Sequence, residues 1–219
     1  EYFGKLALKN LKIAKKRTYE NYFSIGKELY NLGFNYNCAP VVDVRFKKAN
    51  EIIGSRAFSA DPKIVTILAK EACKGLLDAN ILPILKHIPG HGRAREDSHL
   101  KLPIINSPLT SLINKDFYPF IKMKNLHAAM TAHIKFSSID SVNCVTHSKK
   151  IISLIRKKIG FNGIIFSDDI CMKALKGTYF NRAKLAVQAG CDLILKCDYN
   201  LNTSYRASKG AGLANKNLL

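Results

Sequence analysis

Ile81-Leu82-Pro83-Ile84-Leu85-Lys86-His87-Ile88-Pro89-Gly90-His91-Gly92 is an apolar run that turns polar at its C-terminal end. The first part, Ile81–Ile88, is short and rich in Ile and Leu, with Pro83 inside it, and predicts a strand. Its apolar residues do not alternate with polar ones, as happens when both faces of a strand are buried. Lys86, His87 and His91 then fall in or beside a tight turn dictated by Pro89, Gly90 and Gly92.

The same pattern recurs along the chain. The extended stretch from Phe34 to Val44 carries Asp43, the run His127–Ile134 carries His133, and Gly163–Ser167 leads straight into Asp168-Asp169. Asp192–Cys197 is a last apolar run. Helical spacing fills the intervals. Leu6, Leu8, Leu11, Ile13, Ala14, Tyr22, Phe23, Ile25 and Leu29 predict one helix over 6–32, with Gly33 as its stop. A second helix is predicted over 61–79, with Asp61 as N-cap and Pro62 at the first position. Further helices are predicted over 148–159 and 181–189, and for part of 107–124. Strands alternating with helices predict an α/β fold with a parallel sheet inside, either doubly wound or a (β/α)8 barrel. The ionisable residues cluster just after the strands, which in a barrel is the catalytic end. After Asn200 the chain turns to Asn, Ser, Gly and Lys, and residues 201–219 are expected to form an irregular or disordered tail.

Composition narrows the function classes. The chain has 219 residues, 47% of them apolar, enough for one sizeable core. The formal net charge of +19 implies weak attraction to anionic polymers. The cations are spread along the chain, with short clusters such as Lys15-Lys16-Arg17 and Arg156-Lys157-Lys158. They form no basic tail and no aromatic–basic pattern, so no specific nucleic acid is expected as partner. The six cysteines form no CxxC pair and sit mostly among apolar residues, which suits free thiols in a reducing compartment. No apolar run approaches the roughly 20 residues of a membrane span, and no signal peptide is seen, so a cytoplasmic, monomeric protein without a membrane partner is expected.

Two segments point to chemistry. The first joins Lys86, His87 and His91 to Asp97-Ser98-His99. A carboxylate two residues before a histidine can take its second N–H and fix its tautomer. The second is Ser167-Asp168-Asp169, where an apolar strand ends in two carboxylates. A third, weaker signal is Arg56 in the turn Ile53-Gly54-Ser55-Arg56-Ala57-Phe58, placed to hold a hydroxyl-rich ligand. From the residues alone two schemes stand. His87, His91 and His99 with an Asp could bind a divalent metal for hydrolysis, or Asp168 and His99 could act as nucleophile and acid/base without one.

Taken together these motifs resemble those of the family 3 β-N-acetylglucosaminidases. The resembling segments are Asn37–Val44, Ile53–Phe58, Lys86–Gly92, Asp97–His99, Met130–Ile134, Gly160–Gly163, Ser167–Asp169 and Ala189–Leu193, in the family's order. The Lys86–Gly92 and Asp97–His99 pair is specific to this branch. The resemblance implies a (β/α)8 barrel, retaining hydrolysis and no metal or other cofactor. It implies that Asp168 is the nucleophile, His99 the acid/base and Asp97 its orienting partner, and that Arg56, Lys86 and His87 hold the sugar; His133, by its position after a strand, is expected to line the pocket as well. The implied substrate is a small carbohydrate, a peptidoglycan-derived muropeptide that loses a terminal β-linked N-acetylglucosamine during cell-wall recycling. The family's opening strands, with a DQEGG motif, have no counterpart here. Residues 1–200 are therefore expected to be a barrel domain holding the last five of eight strands, and the alternative is an inactive truncated remnant of that enzyme.

Overall fold

The computed structural model describes residues 1–214. The predicted first helix divides in two, α1 (Tyr2–Lys9) and α2 (Leu11–Asn31). Asn10 causes the break: its backbone is extended, and its side chain accepts from the Ile13 amide at 3.0 Å, capping α2 instead of continuing α1. The helix stops at Gly33, whose φ of +83° suits glycine. The predicted helix over 61–79 is α3 (Pro62–Asp78), with the Asp61 side chain accepting from the Lys63 amide at 2.8 Å. Helices α2 and α3 pack at very close approach. A Cβ on Gly26 would stand 2.6 Å from the Ala79 Cβ, and one on Gly75 2.6 Å from the Tyr19 carbonyl.

The sheet is parallel throughout. Strand β1 (Tyr36–Asn37) pairs with β2 (Leu82–Pro83), and the same two segments meet again at Val41 and Lys86. Strand β3 (Leu85–Ile88) pairs with β5 (Ala128–Thr131), and β5 with β7 (Ile164–Phe166). The predicted last strand is an extended segment bridged to β7 at Phe166 and Leu193, with Ser167 N–H donating to the Leu193 carbonyl at 2.8 Å. The result is an arc of five parallel segments in chain order. Two short strands after β3 and β5, β4 (Ile104–Ile105) and β6 (Lys135–Phe136), pair with each other as a separate parallel ribbon.

Helices back the arc. The stretch 107–124 contains α4 (Leu109–Ser111) and α5 (Tyr118–Lys122), joined by a wider helical turn. Helix α6 (Lys149–Leu154) is capped by Ser148, and α7 (Tyr179–Ala189) by Thr178. Residues 201–211 do not form the irregular tail expected from their polarity. Leu201–Ala211 is a helix, α8, capped by Asn200 and seated on α7 so closely that a Cβ on Gly210 would meet the Phe180 carbonyl at 2.1 Å. Asn200 is a good cap, and Ala207 on α8 is buried against the α7 side, which composition alone does not reveal. Residues 215–219 lie outside the described part.

Alternating residues face opposite ways along each strand. Leu85, Ala129 and Ile165 join the core under the helices, whereas Ile84, Ala128, Met130, Ile164 and Phe166 pack inside the arc. Continuing that alternation puts Lys86 and Asp168 on the inner side at the C-terminal ends of their strands, and Asp43 stands between Val42 and Val44, which join the core under the helices. Helices outside a curved parallel sheet, with polar groups at that end, make this a TIM-barrel-like α/β fold.

Candidate active site

Asp43 organises the turn after β3. It is fully buried, and one carboxylate receives three donors. The His91 amide donates to Oδ1 at 2.6 Å, the His87 amide lies 3.3 Å from both oxygens, and His87 Nδ1 lies 2.7 Å from Oδ2. Burial opposes the charge of Asp43, but His87 and the His91 amide outweigh it and hold the carboxyl below its ordinary range. With Nδ1 spent on Asp43, His87 has only Nε2 to offer a ligand. The turn also needs Gly92, because a Cβ there would sit 1.8 Å from the Val44 carbonyl. Asp43 was visible in the sequence only as one more polar residue after a strand. Its role depends on a contact 44 residues away.

A cavity of about 140 Å³ opens above this turn, lined by Arg56, Lys86, His87, His91, His99 and Asp168, with Ile52, Ile53, Ser98 and Met172. Five of the expected site residues, Arg56, Lys86, His87, His99 and Asp168, therefore share one wall-to-wall space. Asp168 is half-buried. Burial works against its charge, but His87, His133 and the Asp169 amide prevail, so its carboxyl titrates below the usual range and is ionised at neutral pH. That amide donates to Asp168 Oδ1 at 2.8 Å, which fixes one of its oxygens. Burial and the neighbouring Arg56 lower the Lys86 ammonium.

His99 comes from a loop. Its ring Nδ1 and its own amide both lie 2.8 Å from Asp97 Oδ1, the side-chain pair expected from their spacing. The amide of His99, then its ring and charge, hold Asp97 below the ordinary carboxylate range. The ring is 58% exposed, so Nε2 is accessible to a substrate oxygen. The loop is tied to the segment after Asp168 by a hydrogen bond from the Lys173 amide to the His99 carbonyl at 3.1 Å.

His133 departs from expectation. It does not line the cavity but is fully buried beneath it, with Nδ1 2.7 Å from Thr146 Oγ1 and Nε2 3.0 Å from the Asp169 carbonyl. Both nitrogens are spent inside the protein, so His133 is not a sugar ligand. Among the described residues no three His, Cys, Asp or Glu side chains are gathered to hold an ion. All six cysteines are free thiols, three of them buried. No described helix is long and apolar enough to cross a membrane.

Three histidines, His91 and His133 buried and His147 partly buried, give a measurable consequence. Burial, with His87 nearby, pushes His91 down to about 4, burial pushes His147 down to about 4, and His133 is lowered for the same reason. Above the ordinary value of 6.5 these rings are neutral in both folded and unfolded chains. As pH falls from 6.5 toward 4, the unfolded chain takes up protons that the folded chain refuses, so stability drops through that window. Asp43, with its lowered carboxyl, acts in the same direction at lower pH. Asp116, raised to about 6 by burial despite Arg93, opposes it. With three histidines against one aspartate, the melting temperature followed by circular dichroism is expected to fall between pH 6.5 and pH 4, and a flat or rising profile would count against neutral rings at these positions.

Comparison with known proteins gives a consistent picture. Residues 6–214 match the glycosyl hydrolase family 3 N terminal domain. A β-hexosaminidase of Shewanella frigidimarina is 37% identical over 194 residues, 86% of this chain and 56% of that protein. A β-hexosaminidase of Nitrosomonas eutropha is 34% identical over 180 residues, covering 80% and 51%. The chain thus spans about half the length of the curated relatives it matches. Among solved structures, NagZ from Neisseria gonorrhoeae in complex with N-trifluoroacetyl-D-glucosamine superposes with a TM-score of 0.85 at 30% identity, over 93% of this chain and 59% of that one. The β-N-acetylglucosaminidase from Thermotoga maritima gives 0.77 at 36% identity, over 88% and 42%.

Proposed function

Because this chain belongs to glycosyl hydrolase family 3, through that family's N-terminal domain, we propose that it carries the catalytic pair of a retaining β-N-acetylglucosaminidase. The observation that carries this reading is the shared cavity of Asp168 and His99, with His99 oriented by Asp97. The substrate is a terminal β-linked N-acetylglucosamine on a peptidoglycan-derived muropeptide, and the setting is cell-wall recycling in the cytoplasm by a monomer that needs no cofactor. The five parallel segments within residues 1–200 are read as the last five of eight barrel strands, a reading supported by the family order of their motifs. Helix α8 extends the domain past residue 200.

The ionised Asp168 attacks the anomeric carbon and forms a glycosyl ester, while the bond to the leaving oxygen breaks. The imidazolium of His99 gives that oxygen the Nε2 proton, and its Nδ1–H stays on Asp97, which stabilises the charged ring. Water then attacks the same carbon, His99 Nε2 takes the proton, and the ester bond breaks to restore the Asp168 carboxylate. Two displacements at one carbon retain the β configuration. Asp168 also offsets the positive charge that develops on the sugar ring in each transition state. In this reading Arg56, Lys86 and His87 Nε2, which line the cavity, bond the sugar hydroxyls.

The test is hydrolysis of an aryl N-acetyl-β-glucosaminide, followed by proton NMR from the first seconds. The β anomer of free N-acetylglucosamine is expected to appear first and to mutarotate afterwards. First appearance of the α anomer, or no turnover by the folded chain, overturns the proposal.

A further inference from the structure

We infer that Thr131, Thr146 and His133 form a buried hydrogen-bond relay that positions Asp168 for its chemistry. The inference rests on the reading of Asp168 as nucleophile. All three side chains have no solvent exposure. Thr131 ends β5, His133 follows it, and Thr146 lies in a single tight turn, Val145–His147, ahead of α6. The Asp168 amide lies 3.3 Å from Thr131 Oγ1, the two threonine hydroxyls are 2.8 Å apart, and Thr146 Oγ1 is 2.7 Å from His133 Nδ1. His133 Nε2 is 3.0 Å from the Asp169 carbonyl.

Each proton in this relay has one consistent place. A carbonyl only accepts, so His133 carries its proton on Nε2 and donates it to Asp169. The ring is fully buried and its pKa is lowered by that burial, so it is neutral and Nδ1 is bare. Thr146 must then donate to Nδ1. That contact, at 2.7 Å, prevails over the 3.5 Å alternative to the Ala132 carbonyl. The Thr146 proton being used, Thr131 donates to Thr146 and its own oxygen accepts the Asp168 amide. The relay therefore starts at the peptide group before the Asp168 side chain and ends at the carbonyl just after it. It anchors the nucleophile's backbone on both sides to β5 and to the helix layer. None of the three side chains lines the cavity, so they are positioning residues and not sugar contacts.

The part Thr146 plays in the relay can be separated from a mere packing role. Thr146→Val keeps the volume and removes the hydroxyl, whereas Thr146→Ser keeps the hydroxyl. In histidine-labelled full chain, nitrogen NMR is expected to show His133 as the neutral Nε2–H tautomer. The Asp168 amide resonance is expected to move in Thr146→Val and to stay in place in Thr146→Ser. On the aryl substrate, Thr146→Val is expected to lower kcat roughly tenfold to a hundredfold with KM nearly unchanged, the loss typical of a slightly misplaced reacting group. Thr146→Ser is expected to restore most of it. An Nδ1–H tautomer, an unmoved Asp168 amide in Thr146→Val, or a kcat loss that tracks the melting temperature without rescue by serine would overturn the inference. The NMR results stand whether or not the chain turns over substrate. Absent turnover therefore contradicts the proposed activity alone, while an unmoved amide contradicts the relay.

Discussion

Replacing Asp168 with Asn is expected to abolish turnover of an aryl N-acetyl-β-glucosaminide, with kcat/KM falling by at least roughly 10⁴-fold, as befits loss of a nucleophile. That corresponds to about 5 kcal/mol of transition-state stabilisation. The side chain keeps its shape and loses its charge, so the fold is expected to persist and the melting temperature to change little. His99→Ala is the informative contrast. Loss of the acid/base costs about 10²- to 10⁴-fold, and it costs least with a good leaving group that departs without a proton. With such a substrate the second step is the slow one, since no imidazole activates the water. Steady-state kinetics with a graded series of aryl leaving groups checks both statements. Equal losses for Asp168→Asn and a remote surface substitution would contradict them.

Asp43→Ala is expected to give the largest loss of stability of any single change near the site. It removes a fully buried carboxylate and leaves the His91 amide and the His87 ring without their acceptor. Each buried donor left without its acceptor in this way costs about 1–3 kcal/mol. For a domain of this size that lowers the melting temperature by on the order of 10 °C. Activity is expected to fall as well, because the Lys86–Gly92 turn loses the anchor that aims His87. Asp43→Asn keeps one acceptor oxygen and is expected to lose less. Thermal melts of the three proteins decide this, and an Asp43→Ala chain as stable as the parent would show that the turn holds without it.

Much of this architecture is legible in the sequence because strand and helix periods differ. The predicted runs Ile81–Ile88, His127–Ile134 and Gly163–Ser167 contain strands β3, β5 and β7, and ionisable groups stand in or beside their C-terminal ends as expected. Strand parity even places Lys86 and Asp168 on the inner side. The Asp97–His99 hydrogen bond is likewise a local property of two residues two apart. What the sequence hides is non-local. Asp43 and the relay through Thr131, Thr146 and His133 acquire their roles only when separate strand ends meet. His133 illustrates the limit, since its position after a strand predicts a pocket ligand and its two hydrogen bonds make it a strut. The break at Asn10 and the helix α8 arise from capping by asparagines at Asn10 and Asn200, a short-range signal masked by the surrounding helical or polar composition. The ribbon of β4 and β6 is too short for any period to announce it.

Trapping the covalent intermediate tests the central claim most directly. The His99→Ala chain, mixed with an aryl N-acetyl-β-glucosaminide bearing a good leaving group and quenched in acid, is digested and mapped by mass spectrometry. The account predicts one N-acetylhexosaminyl adduct on the peptide containing Asp168, absent when Asp168 is also Asn. An adduct on another residue, or turnover in which the sugar never becomes attached to the protein, would contradict it.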